Sequence, residues 1–275
     1  MPSAPRVSVC IPAYRAPRFL PEAVRSVLSQ TCADLEIVVV DDASGDGTLE
    51  SIAGIDDPRL RCWSNPENLG GAGNWNRAVG LSRGRYIKIL CSDDLLHPDC
   101  LEAQVRILED PAWDRVGVVC CWREVVDASG KRIMVRKPWG LRGHVPGRHA
   151  LRRIVRSGTN PLGEPAAVLF RRELLDKSGP FDGSNPFVLD IDMWSRMLLH
   201  SDLYMVPRTL CGFRVSAGSW SVQLARRQSE SYRAWIAGLG RDPRTGLTPL
   251  DLAVGRWKSR AWNWARILFY KVFVS

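Results

Sequence analysis

The chain has 275 residues, enough for one large α/β domain with or without an appendage, and long enough to bury a core. Its 38 Lys and Arg against 29 Asp and Glu give a net charge of +9, which favours anionic partners without choosing among phosphates, nucleic acid and lipid surfaces. The hydrophobic fraction of 45% is ordinary for a globular protein, and the lack of any long uncharged apolar run predicts no membrane-spanning helix.

In chain order, residues 1–6 carry a charge with no apolar stretch behind it and are not read as a signal peptide. Val7–Ile11 is a short apolar run that ends at Pro12. Phe19, Leu20, Ala23, Val24, Val27 and Leu28 recur at helical spacing. Leu35–Val40 is almost wholly apolar and β-branched, as a buried parallel strand should be. Turn residues Asp41–Gly47 follow, then an expected helix from about Thr48 to Ile55. Arg59–Ser64 reads as a strand, Asn74–Ser82 as a helix and Tyr86–Cys91 as another strand. His97-Pro98 opens a helix with Leu101, Val105 and Leu108 on one face, and Val116–Trp122 is again a strand. This β–α alternation predicts an open, mostly parallel twisted sheet with helices on both faces.

The second half reads differently. Residues 125–135 predict a β-hairpin about Ser129-Gly130. Residues 136–149 are basic and rich in Gly and Pro, and are expected to form a loop. A strand at 166–171, a helix at Asp190–His200 and strands at Leu203–Val206 and Cys211–Val215 follow, then a linker at 241–249. In the tail, Val254, Trp257, Ala261, Trp264, Leu268 and Val272 form a helical stripe, with Arg256, Lys258, Arg260, Arg266 and Lys271 off it. Such a basic, Trp-bearing helix suits a membrane interface. The same pattern suits a helix packed on its own domain or on a second subunit.

Two acidic pairs close two of the strand patterns: Asp41-Asp42 and Asp93-Asp94. If both strands lie parallel in one sheet, both pairs emerge on one edge, where open α/β sheets bind ligands. Either pair alone could be a turn or a helix cap. Together they are costly unless a cation or a hydrogen-bonding ligand satisfies them. Hard Mg²⁺ or Mn²⁺ suits such oxygen ligands and typically brings substrate phosphates with it. Gly45-x-Gly47 fails as a dinucleotide fingerprint because residue 50 is Glu, and no P-loop motif occurs. Asp192 and Arg196 stand at i, i+4 as an ion pair, which leaves Asp190 at a helix start. His97, His144, His149 and His200 show no metal-ligand spacing. The eight cysteines include no C-x-x-C and read as reduced, mostly buried small hydrophobes of a cytosolic protein. Trp122, Trp139 and Trp220 are open to core or sugar-stacking roles.

These segments jointly resemble the family 2 inverting glycosyltransferases of GT-A fold. Val7–Tyr14 is similar to their opening strand and Val40–Ser44 to their nucleotide-binding strand end. Asn68-Leu69-Gly70 and Asn74-Trp75-Asn76 are similar to the loop and helix that follow. Ser92-Asp93-Asp94 stands where their D-x-D-type metal motif stands, and Leu189–Arg196 resembles their E-D-x-D-x-W-x-R segment. Order and intervals agree over residues 6–220. The resemblance implies Asp190 as the catalytic base and Pro12, Tyr14, Asp42, Asn68, Asn74 and Asp93 as nucleotide-binding. Tyr14 and Asp42 would meet the base, and Asp93 the ribose. Asp94 would be the ligand of an Mg²⁺ or Mn²⁺ bridging the diphosphate. Two residues depart from the pattern: Leu189 stands where an acid is usual, and Ser216 where many members carry His.

The expectation is therefore a GT-A-type domain over 1–220, with a nucleotide-binding half (1–120) and an acceptor-side half (121–220), and a C-terminal helical extension over 221–275. It would move a hexosyl or N-acetylhexosaminyl group from a nucleotide-diphosphate sugar, a UDP-sugar first, to a glycan or lipid-linked acceptor in cell-surface polysaccharide or glycolipid synthesis. The chain would work in the cytoplasm, at the inner face of the cell membrane, with residues 250–275 as a peripheral membrane contact. A degenerate module that only binds a nucleotide sugar or docks on membranes is the alternative. A sugar nucleotidyltransferase would want a Gly-rich basic loop where Pro12-Ala13-Tyr14-Arg15 stands. No nucleic-acid-binding motif accompanies the positive charge.

Overall fold

A computed structural model describes residues 4–138, 140–216 and 228–273, with side chains as far as residue 265 in the last helix. Trp139, Trp220, the expected boundary at 220/221 and the side chains of Arg266, Leu268, Lys271 and Val272 lie outside the described residues.

Among the described residues ten strands form one sheet: β1 (Val7–Ala13), β2 (Leu35–Asp41), β3 (Leu60–Ser64), β4 (Tyr86–Ile89), β5 (Leu95–Leu96), β6 (Val116–Val126), β7 (Arg132–Arg136), β8 (Gly143–Val145), β9 (Val168–Arg171) and β10 (Asp202–Arg214). Their order is β3-β2-β1-β4-β9-β6-β10-β5, with β7 on β6 and β8 on β10. Strands β3, β2, β1, β4, β6 and β10 run the same way, and β9 is inserted antiparallel between β4 and β6. The helices are α1 (Leu20–Leu28), α2 (Gly70–Leu81), α3 (Cys100–Glu109), α4 (Gly147–Ser157), α5 (Leu174–Ser178), α6 (Leu189–Met197), α7 (Gln228–Leu239) and α8 (Pro249–Phe273).

The side-chain period of a strand explains the layering. Every residue of β2 is buried, but Val38 and Val40 join one apolar cluster while Leu35, Ile37 and Val39 join the other. Helices α2, α4, α6 and α7 cover the first face, and α1 and α3 the second. A strand covered on both faces needs a nearly continuous apolar run, which residues 35–40 supply apart from Glu36, itself buried against Ser8 and Arg61.

Four expectations change. No α-helix forms over 48–55, only a 3₁₀ turn at Glu50–Ile52. The Asp46 carboxylate accepts from the Thr48 backbone and hydroxyl, which favours a turn over a helix. The two strands expected over 203–215 are one strand, β10, whose pairing with β6 slips between Val206 and Cys211. Pro207 sits there and has no N–H to give the ladder. Residues 136–149 are not one loop: β8 lies within them and α4 begins at Gly147. Helix α4 buries Ala150, Leu151, Ile154 and Val155.

The fourth change concerns the tail. Helix α8 packs on its own domain by the face opposite its aromatic stripe. Asp251, Gly255 and Ser259 are buried, while Trp257 and Trp264 are 68% and 77% exposed. Thr248 and Asp251 cap the helix reciprocally, and Asp251 also takes Arg156 at 2.5 Å and Arg152 at 3.3 Å. The contact is made by close backbone approach. A Cβ on Gly255 would lie 2.4 Å from the Val155 carbonyl oxygen. Gly158, which caps α4 at φ +72°, is equally close to the backbone of Lys258 and Ser259.

Candidate active site

Parallel pairing fixes the edge. Ala13 lies opposite Asp41 across β1 and β2, and Cys10 opposite Ile89 across β1 and β4. Both acidic pairs therefore leave the sheet at its carboxyl-terminal edge, and they do different work there. Asp41 closes its own turn by accepting from the Ser44 amide and hydroxyl. Asp42 is buried, and its Oδ1 accepts from Asn65 Nδ2 at 2.7 Å and the Leu69 amide at 2.8 Å. Asn68 Nδ2 donates to the Asp42 carbonyl at 3.2 Å. Tyr14 stands 47% exposed beside this group, while Pro12 is buried within β1.

Asn74 is also buried. Its Nδ2 donates to the carbonyls of Val40 and Ala13, and its Oδ1 accepts from Asn65. The amide thus holds the ends of β1 and β2 together and has no side-chain hydrogen left for a ligand. Replacing Asn74 with Ala is expected to cost about 1–3 kcal/mol in a urea titration, because it orphans several buried groups. Two non-glycine residues, Arg15 and Ala43, take φ +51° and +56° at these strand ends. Such local strain concentrates at ligand sites.

Asp94 is fully buried. Its Oδ1 accepts from the Arg214 amide at 3.0 Å, and its Oδ2 has no hydrogen-bond partner. Burial, then the neighbouring charge of Asp93, pushes its carboxyl well above the usual range. The Arg214 guanidinium, also buried, donates to the Asp93 carbonyl at 2.9 Å and to Glu22 at 2.6 Å. Ser216 lies partly buried just beyond β10.

Asp190 sits in the first turn of α6. Its Oδ1 accepts from the Ile191 amide and its Oδ2 from Asn160 Nδ2, each at 2.7 Å. It is recessed yet partly open to solvent. Burial, reinforced by the charge of Glu164 and opposed by the Ile191 amide and Arg123, pushes its carboxyl up to about 7. Glu164 is ion-paired with buried Arg123.

Cys91 is pushed well up by burial and then, in order, by Asp94, Asp93, Asp190 and Glu164. Four carboxylates from three separate stretches of chain thus lie within electrostatic reach of one buried thiol. Asp42 anchors the neighbouring group at the ends of β1 and β2. Sequence reasoning missed Asn65, Asn160, Glu164 and Arg214 as members of the site. Asn65 had a usable signal, an Asn at the carboxyl end of a strand pattern; the others had none.

Among the described residues no three His, Cys, Asp or Glu side chains are grouped to hold a metal. The orphaned Oδ2 of Asp94 nevertheless fits a hard cation whose remaining ligands come with a substrate. The histidines serve elsewhere: His97 meets Glu124 and His144 meets Asp202, each at 2.9 Å. Asp192 pairs with Arg196 at 2.8 Å and accepts from the Trp235 indole. All eight cysteines are free thiols. No helix among the described residues is long and apolar enough to cross a membrane.

The family model described as Glycosyl transferase family 2 matches residues 8–179. The uncharacterized protein MT1568 of Mycobacterium tuberculosis (strain CDC 1551 / Oshkosh) is 32% identical, over 95% of this chain and 83% of its own. S. aureus TarS 1–349 in complex with UDP-GlcNAc superposes with a TM-score of 0.67 at 18% identity, covering 86% of this chain and 67% of that one. A longer TarS structure is spanned over only 40% of its length. The mannosyltransferase PcManGT from Pyrobaculum calidifontis, in complex with GDP-Man and Mn²⁺, superposes with a TM-score of 0.64 at 22% identity, covering 100% of this chain and 77% of that one. At these identities the superpositions establish a shared α/β fold.

Proposed function

This chain belongs to glycosyl transferase family 2, and from that premise we propose that it moves a sugar, with inversion, from a nucleotide-diphosphate sugar to an acceptor hydroxyl. Asp190 is the general base of this reading. The observation that carries it is a recessed carboxyl held by Asn160 and the Ile191 amide and pushed up to about 7, within electrostatic reach of the same thiol as Asp93 and Asp94. A base with a pKa near the working pH takes a hydroxyl proton as the new bond forms. Inversion needs only this one group on the acceptor side, unlike the two carboxylates of glycosidases.

On the donor side, Tyr14 offers an exposed ring to the nucleobase, and Asp42 an acceptor to its edge. Asn68 shapes the adjoining loop, Asn74 and Pro12 fix the strand ends, and Asp93 reaches the ribose. Asp94 would hold Mg²⁺ or Mn²⁺, which when bound would supply positive charge against that of the departing diphosphate. The two neighbours that hold UDP-GlcNAc, or GDP-Man with Mn²⁺, support a nucleotide-sugar donor and divalent metal use. A thermal-shift panel of UDP-, GDP- and dTDP-sugars of hexoses and N-acetylhexosamines, with and without Mn²⁺, tests the donor class. A rise in Tm for one nucleotide class, larger with Mn²⁺, is expected; no rise with any of them counts against the reading. Metal-dependent hydrolysis of the donor separates an enzyme from a degenerate binding module.

In this reading residues 1–120 hold the donor, 121–220 the acceptor side, and the tail attaches the enzyme to the inner face of the cell membrane, in cell-surface polysaccharide or glycolipid synthesis. The exposed Trp257 and Trp264 support the attachment. Because the opposite face of α8 is built into the fold, point variants test this better than truncation. The double variant Trp257→Ala/Trp264→Ala should leave stability within about 0.5 kcal/mol. It should bind anionic liposomes at least about tenfold more weakly in flotation. Equal flotation of variant and parent removes the membrane role.

A further inference from the structure

A groove of about 1270 Å³ opens between β7, the loop after it, α4 and α8. Asn160, the residue that holds Asp190, is among its lining residues. Arg136, Lys137, Arg152, Arg153, Arg156 and Lys258 line it, and none of the described lining residues is acidic. Arg152 and Arg156 share one carboxylate, Asp251, behind the wall. Lys137 lies over the Trp122 ring at 5.0 Å. Arg153 and Lys258 have no acidic partner among the described residues. The Arg153 guanidinium lies against Gly140, where a Cβ would meet it at 2.6 Å, so the loop is shaped to leave it room. The α8 wall is apolar apart from Lys258: Val254, Ala261, Trp262 and Ala265 contribute to it.

A solvated basic surface spreads its charges. Here they converge on a concave site beside the candidate base, with an apolar strip along one side. Guanidinium groups recognise phosphate oxygens in pairs, and several cations on one side of a groove match a ligand with two adjacent negative groups. We propose that this groove seats the phosphate or diphosphate of the acceptor and so presents the acceptor hydroxyl to Asp190. This rests on the transferase reading above. The apolar strip, on the helix that carries exposed Trp257 and Trp264, favours a diphosphate borne on a lipid over a free one.

The test measures binding by calorimetry to the full chain in EDTA, where cation-assisted capture of a diphosphate at Asp94 is removed. The probes are inorganic pyrophosphate, farnesyl diphosphate and farnesol. Both diphosphates should bind and farnesol should not. The charge-reversed pair Arg153→Glu/Lys258→Glu should weaken diphosphate binding by about tenfold or more, with an unchanged melting temperature as the control for folding. Arg153→Lys should restore most of the affinity lost in Arg153→Glu. Farnesyl diphosphate binding well above pyrophosphate identifies a lipid-borne acceptor, and equal binding identifies a soluble phosphorylated one; either result upholds the diphosphate seat. Absent diphosphate binding, affinity unmoved by the double reversal, or farnesol binding as well as its diphosphate would overturn it. Donor hydrolysis with Mn²⁺ is measured separately, so a seat that binds in a chain that hydrolyses no donor faults the transferase reading and not the groove.

Discussion

Asp190→Asn is expected to lower turnover by roughly 10²–10⁴-fold, the usual contribution of a general base, while leaving nucleotide affinity near that of the parent. The substitution keeps the shape of the side chain and one acceptor oxygen, so Asn160 or the Ile191 amide keeps a partner. What is lost is the group that takes the proton. The parent enzyme should show activity that rises about tenfold per pH unit below about 7 and levels off above it, since only the ionised Asp190 can act. Bound cation would move that midpoint down by favouring the carboxylate. Stability should move in the opposite sense. The folded-state pKa of about 7 lies above that of an unfolded Asp. The folded chain therefore holds the extra proton between the two values, and the stability this confers is complete below the unfolded value and lost as pH rises through 7. At pH 8 the Asn variant should be more stable than the parent by about 2 kcal/mol, a figure reduced for the part of the carboxyl that faces solvent. At pH 4 the two should melt alike. Steady-state kinetics and urea titrations across pH 4–9 check both halves, and full turnover in the variant would remove Asp190 from the base role.

Asp94→Asn should separate stability from activity in another way. A fully buried carboxyl with one oxygen orphaned and acidic neighbours is a poor structural element when no cation is present. An amide of the same shape keeps the Arg214 contact and removes the charge. In EDTA the variant should gain about 1–3 kcal/mol. With donor and Mn²⁺ it should lose at least about 10²-fold in turnover, because the charge that supports the departing diphosphate is no longer anchored. Donor hydrolysis titrated with Mn²⁺ reads this directly. A variant with the parent's Mn²⁺ dependence would show that Asp94 is not the ligand.

The strands with acidic ends were legible because a parallel strand covered on both faces is a short, mostly apolar run; residues 35–40 and 86–91 are such runs, each broken by one charged residue, Glu36 or Lys88, that is buried with hydrogen-bond partners. The direction of those strands then dictates where Asp42 and Asp94 emerge. Residues that approach from loops follow no such period. Asn160 and Glu164 reach the site only because β9 enters the sheet antiparallel between β4 and β6, a topology that periodicity does not encode. Arg214 is placed by its pairing with β6, far away in the chain. Helix α4 was read as loop through residue 149 because its basic residues and the preceding Gly and Pro masked Ala150, Leu151, Ile154 and Val155. The docking face of α8 escaped notice for a different reason. Apolar stripes reveal burial by water exclusion, whereas small residues that let two backbones touch leave almost no hydropathy signal.

The glycine contact between α4 and α8 has a consequence for how such an enzyme can change. Helix α8 supplies one wall of the basic groove with one face and presents Trp257 and Trp264 on another, and Gly158 and Gly255 leave no slack between it and the body of the protein. If the groove seats the acceptor and α8 attaches the protein to a membrane, as proposed, a new attachment helix could not be grafted here without reshaping the seat, nor the seat remodelled without tilting the helix. In that case the place of docking and the choice of acceptor would be inherited together.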